Sequence, residues 1–194
     1  MLFSWLFLSS MKIVDQVKLK AGLQMLRKQP EPSRMKQAFH FDNATSIGVL
    51  YLDDDERYFN KIRAFCKELK DKPNIKSIKA LGFVNTKEKM LPIWQSQKLE
   101  FGYFTQDDLN WHLRPINRVT AFKNEDFDIL IDLTDGNTIP TLYLFKESKA
   151  KMKVAVQSTK ASAFADFMLI MKTTPTLEEY LIQLKKYLGN SALK

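Results

Sequence analysis

Carboxylates gather at two points where an apolar run ends, and a carboxylate in such a place can hold a cation, accept loop amides or serve as a base. Asp53, Asp54, Asp55 and Glu56 follow Ile47-Gly48-Val49-Leu50-Tyr51-Leu52, and Asp132 sits between Ile131 and Leu133 near the end of a second run, with Thr134, Asp135 and Asn137 close behind. The acidic loop could hold Mg²⁺, as in phosphoacceptor receiver domains, with Asp132 as partner. Asp53 and Asp132 lie 79 residues apart, however, further than a receiver domain would place them. The plainer reading is a solvated helix N-terminus, where acids complement the helix dipole. Asp132 faces a largely buried layer, where an unpaired carboxylate is expensive. It either caps loop amides or belongs to a site at the carboxyl edge of a sheet. The candidate ligand-binding residues are therefore Asp53, Asp54, Asp132, Thr134 and Asn137, with no residue assigned to catalysis and none to a metal.

Other chemistries find little support. A dinucleotide fold carries glycines after its first strand, and here acids that repel phosphate stand in that place, so neither NAD nor ATP nor any other cofactor is expected. Cys66 is the single cysteine, which excludes an internal disulfide and a cysteine-based zinc site, and its place beside Ile62 and Leu69 suits a core thiol. His40 and His112 have no ligand-spaced neighbour and complete no triad with a serine or cysteine. Lys149, Lys151 and Lys153 alternate with Ala150, Met152 and Val154, which reads as an edge strand protected by lysine or, failing that, an anion-binding strip.

The elements that must position these groups follow from periodicity. Short apolar runs at 46–52, 78–84, 99–104, 127–133, 152–156 and 167–171 read as strands. Tyr58, Phe59, Ile62, Phe65, Cys66 and Leu69 recur at three- and four-residue steps, as a helix packed on one face requires. Residues 139–146 read as a second helix, and Thr105-Gln106-Asp107-Asp108 as a helix start. Thr176 and Glu179 form a capping box ahead of Leu177, Tyr180, Leu181, Leu184 and Leu188, and Gly189 stops that helix. Alternating strands and helices imply right-handed crossovers and an α/β, three-layer, Rossmann-like domain with a mainly parallel sheet of about six strands.

The 194 residues suit one domain over 37–194, preceded by an apolar and basic extension, 1–36, that is helical over 11–28 and contributes little to the core. The net charge is +8, and about half the excess lies before residue 46. Met1 to Leu8 is apolar but too short for a spanning helix, and lacks the basic start of a signal peptide. It reads either as a start codon placed too early, with Met11 the natural start, or as a weak anchor on an anionic membrane surface. Lone cysteine usage points to the cytoplasm, with at most peripheral membrane contact. The cations lack the aromatic interleaving of nucleic-acid readers, so no specific nucleic acid is expected.

Phe104-Thr105 running into Asp108-Leu109-Asn110-Trp111 and Pro115, then Phe127 to Thr134 followed by Ser148 to Val154, resemble a bacterial family of small proteins, a domain of unknown function. Ser46 to Leu52 and Ala80-Leu81-Gly82-Phe83-Val84 add to the likeness, which runs from about residue 12 to the C-terminus and implies no activity. More weakly, 127–156 resembles the N-terminal half of heptosyltransferase-like glycosyltransferases, which implies a shared fold alone. With no catalytic constellation in view, the sequence favours a non-catalytic binding or interaction module. The alternative is a transferase-like domain taking a small anionic or nucleotide ligand at the carboxyl edge of the sheet.

Overall fold

Strand runs that are apolar on both sides need cover on both sides, and that demand sets the layering. The computed structural model describes residues 2–53, 55–87, 100–157, 159–171 and 176–189, with side chains from residue 15 onward. Six strands, β1 (Ser46–Leu52), β2 (Ser77–Val84), β3 (Phe101–Thr105), β4 (Ile129–Asp132), β5 (Met152–Val156) and β6 (Phe167–Leu169), form one sheet in the order β3-β2-β1-β4-β5-β6. Every pairing is parallel. The α/β three-layer expectation is met.

Alternation along β1 assigns the two faces. Ile47, Val49 and Tyr51 join one core with α2 (Glu56–Lys70) and α5 (Leu177–Leu188), through Phe59, Ile62, Phe65, Tyr180 and Leu184. Leu50 joins the other core, with Leu26 of α1 (Leu2–Lys28) and Leu142 to Phe145 of α4 (Ile139–Glu147). The short α3 (Thr120–Lys123) closes that layer through Phe122. Asp55 starts α2 by accepting from the Tyr58 amide at 2.8 Å, and the expected capping box of Thr176 and Glu179 starts α5.

Two expectations are corrected, and the helix start at Thr105 is met but short. The stretch 1–36 was expected to add little to the core, yet Leu26 is fully buried, Tyr143 Oη donates to Gly22 O at 3.0 Å, and Lys146 Nζ donates to Leu26 O at 2.9 Å. Gly22 is what lets α1 lie so close, because a Cβ there would meet the His112 carbonyl oxygen at 2.6 Å. The lysine-bearing strand is not an edge, since β5 runs between β4 and β6. Lys149 and Lys151 precede it, Lys151 pairs with Asp128 at 2.7 Å, and Lys153 is fully buried with Nζ donating to Lys146 O at 2.7 Å. Finally, the helix begun at Thr105 ends after one 3₁₀ turn, Gln106–Asp108, in which Asp108 accepts from the Thr105 amide at 2.9 Å. Beyond it the chain folds back on itself through a Leu109–Pro115 bridge.

Candidate functional site

In a sheet of this order the chain leaves β1 for β2 on one side and leaves β4 for β5 on the other, so a crevice opens at the carboxyl ends of β1 and β4. Asp53 and Asp132 stand at those two ends, both nearly buried. The Asp53 amide donates to Phe83 O at 3.0 Å, tying the end of β1 to β2. Asp54 lies outside the described residues. Asp132 Oδ1 accepts from the Thr134 amide at 3.1 Å and from Thr134 Oγ1 at 2.6 Å, and Thr134 Oγ1 in turn accepts from the Gly136 amide at 2.9 Å. Burial pushes the Asp132 carboxyl up to about 6, against the two hydrogen bonds from Thr134, and neighbouring Asp135 adds to the rise.

The loop from 133 to 138 is thus built by its own side chains. Asp135 Oδ1 accepts from the amides of Asn137 and Thr138 at 2.9 and 2.8 Å, and Asn137 Nδ2 donates back to Asp135 O at 2.9 Å. Gly136 takes φ +62°, where L side chains are strained, and its carbonyl accepts from the Ala161 amide. The loop delivers the chain to the N-terminus of α4, and the Thr138 side chain makes no cap to that helix.

That N-terminus forms one wall of a cleft of about 770 Å³, within the range of small-molecule sites. The floor is the end of β2 with the residues just beyond it, Phe83, Asn85 and Lys87, beside Gln106; α1 supplies Asp15, Lys18 and Leu19. The remaining wall is the loop of Leu109, Asn110, Trp111 and Leu113. Asn110 organises that loop: Oδ1 accepts from the amides of His112 and Arg114, each at 3.0 Å, while its own amide donates to Arg114 O. Leu113 is held at φ +62° and Arg118 at +57°, conformations that bulky residues adopt only when their surroundings impose them. Trp111 is left 52% exposed, its ring edge-on to His112 at 5.1 Å. Gln106 Nε2 donates to Asn85 Oδ1 at 2.6 Å, fixing two carboxamides side by side.

Of the residues singled out by sequence, Asn137 lines this cleft; Asp53, Asp132 and Thr134 do not. The cleft also brings together Trp111, Asn85, Gln106, Lys18 and Lys87, which are not among the candidate ligand-binding residues of the sequence reading. Only the Asp108-Leu109-Asn110-Trp111 stretch carried a signal, an aromatic next to a turn-forming asparagine. Among the described residues no group of three His, Cys, Asp or Glu side chains is placed to hold a metal ion. Cys66 is buried in the α2 core, where desolvation pushes its thiol up to about 12.

A family model described as "Family of unknown function (DUF6913)" matches residues 18–190. No curated protein and no solved structure matches the chain. The local likeness of 127–156 to heptosyltransferase-like glycosyltransferases has no counterpart in these comparisons.

Proposed function

We propose that this chain, which belongs to the DUF6913 family of unknown function, is a non-catalytic binding module that holds a small polar ligand in the cleft at the carboxyl edge of its sheet. The observation carrying this reading is the composition of the cleft wall. A half-exposed indole, fixed carboxamides and the N-terminus of α4 meet there around one cavity. An indole offers a face for a planar ring, carboxamides read donor and acceptor edges, and a helix N-terminus favours negative charge. Among the described lining residues, Lys18 and Lys87 add cations against one acid, Asp15. A ligand with a flat heterocycle and an anionic group, of nucleotide type, uses all of these features.

A transferase-like activity is the second reading. It is favoured by Asp132, whose carboxyl near 6 could exchange a proton around neutrality. Against it, Asp132 is engaged by Thr134 and lies outside the cleft lining. Calorimetry and thermal shift with nucleotides and nucleotide sugars, with and without Mg²⁺, test both. The binding reading expects a shift that Trp111→Ala removes and Asp132→Asn leaves in place. Loss on Asp132→Asn in a folded protein, with Trp111→Ala unaffected, would transfer the function to the acidic crevice.

A further inference from the structure

At the start of α1 the apolar residues follow one another too closely to make one face. Leu2, Phe3, Trp5, Leu6, Phe7 and Leu8 are interrupted only by Ser4. A helix of that sequence is apolar all round, and it calls for an apolar medium rather than a groove. α1 is one unbroken helix from Leu2 to Lys28. Its far end is fastened to the domain by Tyr143 Oη on Gly22 O and Lys146 Nζ on Leu26 O. Between the two ends Val17 and Leu19 are 49% and 50% exposed, with Lys18 and Lys20 alternating among them. No acid precedes Asp15, whereas Lys12, Lys18 and Lys20 are all cationic.

We propose that the N-terminal half of α1 docks the domain on an anionic bilayer surface and turns the mouth of the cleft toward the lipid. The stretch from Leu2 to Met11 rises roughly 15 Å, short of the hydrocarbon core of roughly 30 Å. It therefore enters the surface without crossing, in keeping with the absence of a membrane-spanning helix among the described residues. The lysines that follow it sit at headgroup level and supply the attraction to anionic lipid. Asp15, Lys18 and Leu19 line the cleft, so its wall begins within about 8 Å, along the helix axis, of the inserted segment. This goes beyond the binding role proposed above and stands whether or not the cleft holds a nucleotide-type ligand.

Flotation of the full chain with vesicles of phosphatidylcholine, and of phosphatidylcholine mixed equally with phosphatidylglycerol, tests the docking. Binding to the mixed vesicles is expected at low salt and declines as salt screens the lysines. Leu6→Glu with Phe7→Glu abolishes it on both vesicle types. Lys18→Gln with Lys20→Gln lowers binding to mixed vesicles roughly thirtyfold and leaves the neutral ones unchanged, and urea denaturation confirms that each variant is folded. In a chain carrying Trp5→Phe and Trp94→Phe, quenching of Trp111 by lipid brominated near the headgroup reports the orientation of the cleft. Failure to float, or flotation that survives the two glutamates, would overturn the docking. A lipid-independent dimer that those glutamates dissolve would assign the segment to a second copy instead. Docking with Trp111 unquenched would overturn the orientation.

Discussion

Replacing Lys153 with methionine separates a buried cation from a buried amine. Lys153 is 0% exposed, its Nζ donates to Lys146 O at 2.7 Å and lies 5.9 Å from the Phe145 ring centre. Burial lowers its pKa from 10.5 to about 7; the Arg34 and Lys36 charges push the same way, and Glu31 and Asp166 push back. Because the folded value is depressed, the unfolded chain holds more protons between those two values, and stability rises with pH across that window. The slope approaches 1.4 kcal/mol per unit well above the folded value and is halved at it, so wild-type protein gains about 2 kcal/mol from pH 7 to pH 9 from this residue alone. Methionine keeps most of the volume and has no proton to lose. Urea denaturation of both chains at pH 7, 8 and 9 isolates the effect, because groups common to both, such as Cys66 and the buried tyrosines, cancel in the difference. The wild type should improve relative to Lys153→Met by about 2 kcal/mol over the two units. A difference that stays flat over that range would mean that Lys153 keeps its proton inside the fold and that the reasoning is wrong.

Gly22→Ala reverses an ordinary sign: alanine improves a helix interior by about 1 kcal/mol, but here its Cβ meets the His112 carbonyl at 2.6 Å, so thermal and urea melts should show a net loss of about 1 kcal/mol or more. Lys146→Met leaves the carbonyls of Leu26 and Arg27 without their ammonium donor, costing about 2 kcal/mol, and limited proteolysis should then cut 29–36 before the sheet unfolds. Asp132→Asn keeps an oxygen for Thr134 and removes a carboxyl whose folded value is raised from 3.8 to about 6. The wild type loses stability as pH rises through that interval, so the variant should gain about 2 to 3 kcal/mol on it between pH 4 and pH 7, read by urea denaturation at both.

The elements that periodicity specifies were legible. The run 46–52, the one-faced spacing of Phe59, Ile62, Phe65 and Leu69, and the capped helix from Leu177 all occur as read, because each is decided by burial of its own residues. Lys153 was misread because alternation says which residues share a face and nothing about whether that face meets water. A carbonyl at the end of α4 accepts its ammonium, and that partner belongs to another element. The burial of Leu26 escaped for the same reason, since its companions Tyr143 and Lys146 lie about 120 residues away. The cleft lies at the carboxyl edge of the sheet, where the sequence reading also looked, but Asp53 and Asp132, on which that reading centred, are not in its lining. The cleft is lined by segments of irregular spacing, 85–87 and 106–113, together with α1, where no hydrophobic period marks a function.

The clasp between α1 and α4 also sets an order of events during synthesis. Gly22 and Leu26 leave the ribosome first, yet their partners Tyr143 and Lys146 follow 121 and 120 residues later. At ordinary elongation rates that interval is roughly 10 s, far longer than a helix takes to form. Throughout it α1 exists without the layer it will cover, and its inner surface, Leu26 included, is exposed. α1 is therefore made before the sheet and fixed only after most of it. Closure of that side of the sheet waits on a contact between distant parts of the chain, and whatever engages the nascent α1 meets it before the domain does.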